Sequence, residues 1–146
     1  MTLSRRTRLK RSGIKRGRFK TRAFVAARAR DERQLDLKAK RLVVALEGRA
    51  CRRCGGQGAE AHHLVSRRRK TLRWDADNIV VLCLECHDWW HDVASKQERW
   101  EWATSALPAD RIARLERKAA AKGIQVSDLS MIEADLDRRL SASGGS

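Results

Sequence analysis

A small α+β core, stapled by a four-cysteine zinc site and flanked by helices, is what three observations in this sequence predict. First, the four cysteines stand as two close pairs, Cys51/Cys54 and Cys83/Cys86. Each two-residue spacer lets both thiolates turn onto one cation, and two such pairs make a tetrahedral zinc site. Second, two short stretches read as strands, residues 59–65 and the apolar run Ile79, Val80, Val81, Leu82. They give the coarse order strand, loop, strand, helix. Third, apolar residues on either side of this core recur at threes and fours, the period of an α-helix.

Taken in order, residues 1–21 form a basic tail with nine Lys and Arg and no acid. Self-repulsion and lack of apolar residues predict disorder there unless phosphates neutralise it. Residues 22–48 are an N-terminal helix with Leu35, Ala39, Leu42 and Leu46 on one face and Gly48 as its stop. Lys38, Lys40 and Arg41 lie on its other face, available to extend a basic surface. Residues 49–94 are the metal-bearing core. Within it, Gly55, Gly56, Gln57 and Gly58 close the tight turn that a zinc knuckle needs. After the first strand comes a basic loop with Arg67, Arg68, Arg69, Lys70 and Arg73, then Trp74, for which packing over the loop competes with a contact to a sugar or base. The second cysteine pair straddles the start of a helix over 85–93. Residues 95–140 are a helical extension. Ser95 and Glu98 fit a capping box, Pro108 opens a helix carrying Ile112, Leu115 and Ala119 that stops at Gly123, and Ser127 caps a last helix with Leu129, Ile132, Leu136 and Leu140. Residues 141–146 read as a frayed, disordered tail.

Lys and Arg number 33 against 18 Asp and Glu, a net charge of +15. A surplus of that size makes a polyanion the expected partner, and nucleic acid the first candidate. No apolar run approaches the ~20 residues that span a bilayer, and the basic N-terminus lacks the apolar centre of a signal peptide. The expected place is the cytoplasm, with no membrane partner. Paired thiols beside histidines in a reducing compartment are better read as metal ligands than as disulfides.

All four histidines share the stretch with the cysteines. Four thiolates leave zinc no open position, so the cysteine site should hold the fold and do no chemistry. The histidines are arranged otherwise. His87 and His91, four apart on a helix, can chelate one ion. Cys86 lies about 100° around the helix axis from His87, so one helix can serve two metal sites. His62 and His63, adjacent at a strand end, point to opposite sides, so one can ligate an ion while the other approaches a water on it. Together they read as a second, open metal centre, with His91 the member most easily explained as structural.

These residues carry a resemblance. Cys51-x-x-Cys54, Ala61-His62-His63, Asp77-Asn78-Ile79, Leu82-Cys83-x-x-Cys86-His87 and His91 resemble the HNH endonuclease family, in its zinc-knuckle form common in bacteria and bacteriophages. The similarity covers about residues 50–92. It implies a ββα-metal (His-Me finger) fold, a divalent cation, and hydrolysis of DNA phosphodiesters to 3′-hydroxyl and 5′-phosphate ends. It also implies a bacterial or phage-infected host cell as the setting.

Carried over, the resemblance makes His63 the general base, Asn78 the residue that braces the loop and orients that base, and His87 a metal ligand. His62 stands where many relatives have Asp and becomes a second ligand. His91 is an additional ligand or a phosphate contact. The catalytic cation implied is Mg²⁺ or Mn²⁺, and the imidazoles leave Ni²⁺ or Zn²⁺ open as well. Arg67, Arg68, Arg69, Lys70 and Arg73 are assigned to phosphates flanking the cut. The competing reading is a non-catalytic, zinc-stabilised module that only binds nucleic acid. The C-terminal helices favour it to the extent that they resemble a ribbon-helix-helix binder, and a plain helical hairpin explains them as well. Nicking, double-strand cutting or branch resolution, sequence specificity, oligomeric state and protein partners are not legible in the sequence.

Overall fold

The structure, a computed structural model, describes residues 21–121 and 128–144. The expectations for residues 1–20, for Gly123 and Ser127, and for the last two residues lie outside the described residues. Six helices and a two-stranded antiparallel sheet make up the described fold: α1 (Arg22–Glu47), β1 (Glu60–His63), the one-turn α2 (Lys70–Arg73), β2 (Ile79–Leu82), α3 (Leu84–Asp88), α4 (Lys96–Ala106), α5 (Ala109–Ala120) and α6 (Leu129–Ala142).

The sheet is the centre of the molecule because all four residues of β2 are buried. Alternate side chains of a strand point to opposite faces. Accordingly, Ile79 and Val81 join Leu35, Ala39, Leu42 and Val43 of α1, Leu136 of α6, and Trp74. Val80 and Leu82 join Cys51, Cys86, Ala103 of α4, Leu107 and Ile112 of α5. A strand covered on both sides needs no polar residue, hence the unbroken Ile-Val-Val-Leu run. β1 pairs with it in the register His62 opposite Val80 and His63 opposite Ile79.

Thr21, expected in the tail, instead caps α1, its hydroxyl accepting from the amide of Phe24 at 3.2 Å. The helix ends at Gly48, whose φ of 79° suits glycine. Leu46 departs from expectation: it lies in angle on the buried face, yet is 54% exposed. The last turn of α1 therefore extends past its packed neighbours, and Val43 takes its place in the core. Lys38 is no part of a free basic surface, because its Nζ donates to Glu133 and Asp137 of α6 at 2.7 and 2.8 Å.

The knuckle forms as its glycines require. Gly55 has φ 75°, its amide donates to the Cys51 carbonyl at 2.8 Å, and the Cys51 amide donates to Gly56 at 2.7 Å. After α3 the chain widens into a π-helical turn, Trp89–Val93, in which the Ala94 amide reaches back five residues to Trp89 at 2.8 Å. Such turns concentrate at functional sites.

The Ser95/Glu98 capping box forms with both arms, at 3.2 and 2.7 Å. Arg111, on the same face of α5 as Ile112 and Leu115, is only 7% exposed. Its guanidinium donates to the carbonyls of Asp77, Ala76 and Ile79 at 2.9, 3.2 and 2.8 Å and pairs with Glu47. Asp128 caps α6, accepting from Ser130 at 2.9 Å, and the helix continues to Ala142, beyond the expected end. Among the described residues no strand lies between α4 and α5, and α6 packs on α1 and the core. Among the described residues, no helix is long and apolar enough to cross a membrane.

Candidate metal centres and their cleft

The four cysteines, drawn from the knuckle and from the start of α3, bring their sulfurs within 4.8 Å of one another and form no disulfide. Cys51 and Cys86 are buried, and the sulfurs of Cys54 and Cys83 are 3.7 Å apart. Such crowding splits the thiols. Burial raises Cys51, but the amides of Cys54, Cys83 and Arg53 outweigh it and bring the thiol down to about 6. Burial pushes Cys86 up to about 12. A cation at the centre removes the conflict by stabilising all four as thiolates, as a structural zinc does. The Cys86 sulfur also accepts from Arg53 at 3.6 Å, and that guanidinium lies 3.9 Å over the Trp89 ring.

The second group is His62, His87 and His91, whose ring nitrogens lie within 4.8 Å of one another. His62 faces α3 because its register partner Val80 does, and its ring centroid stands 5.1 Å from His87 and 5.0 Å from His91. His87 and His91 are 4.6 Å apart across the junction of α3 with the π turn. His62 is 6% exposed, and its Nε2 is a buried nitrogen with no hydrogen-bond partner. Leaving such an atom unpaired is costly, whereas a cation would engage its lone pair. Burial, followed by the nearby His87 and His91, holds the His62 ring down to about 3, so it is neutral and able to ligate. Three imidazoles fit a borderline divalent ion and leave coordination positions for solvent or substrate.

His63 turns the other way, toward α1. Its Nε2 stands 2.8 Å from the carbonyl oxygen of Arg73. A carbonyl only accepts, so Nε2 carries the proton and Nδ1 carries the lone pair. Burial holds this ring below the usual imidazole range, although the Arg73 carbonyl opposes the shift. The loop behind it is held by Asn78, which is fully buried. Its Oδ1 accepts from the Val65 amide at 2.7 Å, and its Nδ2 donates to the carbonyls of Val65 and Leu72 at 2.9 and 3.0 Å. Asn78 thus clamps both ends of the segment that presents the Arg73 carbonyl.

His62, His63, His87 and His91 line one cleft of about 530 Å³, together with Lys40, Arg67 and Arg99. The five basic residues of the loop separate here. Arg67 lines the cleft and Arg68 is exposed. Arg69 instead donates to the Ala119 carbonyl at the end of α5, and Lys70 donates to Glu32 at 2.7 Å. Arg73 is 14% exposed, grips Asp36 with two nitrogens at 2.9 and 2.7 Å, and reaches Glu32 at 2.6 Å. A guanidinium so engaged is not free for a phosphate. Trp74 is core, its Nε1 donating to Asp36 at 2.9 Å.

Sequence reasoning passed over Asp36 and Glu32, which hold Arg73, and Arg111, which holds the turn bearing Asn78. Asp36 and Glu32 stand four apart on one helical face, a spacing that marks a pair, but nothing in the sequence names their partner. Arg111 interrupts an apolar stripe, the one available signal that it is buried.

Residues 76–78 form a short 3-10 turn into β2, so the described core follows the order strand, loop, strand, helix, with mixed helices and a two-stranded sheet around the cysteine cluster. No curated protein and no solved structure matches the chain. Residues 51–92, which hold every cysteine and histidine of the protein, match the family model described as HNH endonuclease.

Proposed function

We propose that this protein is a metal-dependent endonuclease that hydrolyses DNA phosphodiester bonds, with His63 as general base and His62, His87 and His91 as the ligands of the catalytic cation. The observation that carries this reading is the pairing of two features in one cleft. One is a buried, unpartnered His62 Nε2 among three converging imidazoles. The other is a neighbouring imidazole whose Nε2 is tied to a carbonyl. A module built only to bind nucleic acid requires neither.

A divalent cation bound by the three histidines supplies Lewis-acid stabilisation to the charge that builds on the phosphoryl and departing oxygens. The rest falls to the chain. The His63 Nδ1 lone pair accepts a proton from a water in the cleft as that water attacks phosphorus in line, and the bond to the 3′ oxygen breaks. The Arg73 carbonyl holds the ring in the tautomer that leaves Nδ1 free, and Asn78 holds the loop that carries the carbonyl. Arg67, Arg99 and Lys40 in the cleft wall, with exposed Arg68, are the cations placed to meet phosphates. Arg73 and Lys70 are left out of this interface because α1 carboxylates already hold them.

The test is supercoiled plasmid incubated with Mg²⁺, Mn²⁺, Ni²⁺ or Zn²⁺, comparing the wild type, His63→Ala and the wild type with chelator. Relaxation by the wild type alone is expected. DNA binding without relaxation under every cation overturns the hydrolytic reading and leaves a zinc-stabilised nucleic-acid-binding module.

A further inference from the structure

Beside the histidine cleft lies a second cavity of about 720 Å³, floored by Leu64, Val65, Trp90 and Trp100 with Lys96 and Arg99 among its walls. The two adjoin and share a wall, since Leu64, Ser66, Trp90 and Arg99 line both. Arg99 spans the boundary. Its guanidinium lies 5.9 Å from the centroid of the Trp90 ring, and its Nε donates to the Ser95 carbonyl at 3.3 Å. Trp90 is buried and braced edge-on by Trp102 at 5.8 Å, whereas Trp100 is half-buried and lines the space itself. No carboxylate lines this cavity, and both of its ionisable residues are cations.

We propose that this cavity receives a nucleobase unstacked from the strand being cut, so that the substrate is DNA with an unpaired nucleotide next to the scissile phosphate. The placement of the strand rests on the nuclease reading above. The slot offers what a base needs and a water-filled channel does not. Trp100 supplies an aromatic face, a platform that accepts any base because every base has a π-face. Leu64 and Val65 supply apolar surface. Lys96 and Arg99 supply cations for the phosphates on either side, and the Gln97 amide supplies both a donor and an acceptor for a base edge. In an intact duplex each base is paired and stacked, so entry must break both arrangements. A nucleotide already unpaired enters without that cost. A surface with carbon below and positive charge alone at its rim also suits a polyanion carrying flat rings better than a peptide.

The experiment measures binding by fluorescence anisotropy with the full-length, zinc-loaded protein carrying His63→Ala, so that the DNA stays whole. Three labelled probes are compared: a fully paired duplex, the same duplex with one bulged nucleotide, and the same bulge without its base. The bulged base is expected to bind about tenfold or more tightly than either other probe, the lower end of what base–aromatic stacking contributes. Trp100→Leu, which keeps apolar bulk on the core, should erase that preference and leave the paired duplex within about twofold. Equal binding to the three probes overturns the proposal, as does a preference that survives both loss of the base and Trp100→Leu. The base-less probe needs no change at Trp100, so a folding defect in that variant leaves the decision intact. Plasmid relaxation with equal binding overturns this assignment alone. A clear base preference without cleavage of the bulged duplex by the wild type under any of the four cations overturns the nuclease reading alone.

Discussion

Removing the Asn78 side chain tests the link between fold and chemistry most directly. Asn78 is fully buried and makes three hydrogen bonds, from the Val65 amide at 2.7 Å and to the Val65 and Leu72 carbonyls at 2.9 and 3.0 Å. Asn78→Ala leaves one amide and two carbonyls without these partners. At roughly 1–3 kcal/mol for each buried group left unpaired, with the half-exposed Val65 end rescued in part by water, the cost is about 3–5 kcal/mol. With an m-value of about 2 kcal/mol per M, the urea midpoint should fall by roughly 1.5–2.5 M. Asn78→Asp should not rescue it. A carboxylate can accept from Val65 but cannot donate to either carbonyl, and it sets a charge against them. Cleavage measured where each variant is still folded should drop with kcat rather than KM, because the loop that presents the Arg73 carbonyl to His63 has lost its clamp. A midpoint shift under about 0.5 M for Asn78→Ala, with cleavage intact, would refute the reasoning.

Three further outcomes are expected. Asp36→Asn removes the two-pronged partner of Arg73, whose carbonyl holds His63. Stability should fall by roughly 1–3 kcal/mol and cleavage by more than DNA affinity, so a selective loss of affinity would argue that Arg73 contacts DNA after all. A Cβ at Gly58 would stand 2.2 Å from Val81 Cγ1 and 2.4 Å from the Arg49 carbonyl oxygen, and the backbone of the knuckle cannot give way as a side chain could. Gly58→Ala should therefore cost about 3 kcal/mol and lower zinc content at purification, and wild-type melting with full zinc would contradict this. Arg114, beside Asp77, holds that carboxyl below the usual range. A depressed folded pKa contributes stability above the ordinary value, near pH 4, that is lost as pH falls through the lowered one. Asp77→Asn should accordingly flatten the acid limb of a stability–pH curve, and identical limbs for the two proteins would exclude the pair as a contributor.

The sequence by itself determined the candidate metal ligands and most of the local elements. Cys51, Cys54, Cys83 and Cys86 were legible as one site because thiolate chemistry fixes the spacing, and His87 and His91 because a helical turn does. The capping box at Ser95 and the stop at Gly48 depend only on nearby residues, so they too could be read in advance. What failed were readings of single surface side chains whose partners or neighbours lie far along the chain. Lys38 looked like free basic surface until α6 brought Glu133 and Asp137 to it. Arg73 looked like a phosphate contact until α1 brought Asp36 and Glu32. Leu46 had the right angle but no neighbour to cover it.

Only the tertiary structure decided which way the two adjacent histidines face. The pairing of β1 with β2 sends His62 toward α3 with Val80, and sends His63 toward α1 with Ile79. That choice leaves one imidazole without a hydrogen-bond partner among potential ligands and ties the other to a carbonyl. Local pattern sets what a side chain can do, because its chemistry travels with the residue. Long-range packing sets which of those capacities it uses, because burial, charge and hydrogen-bond partners come from segments remote in sequence.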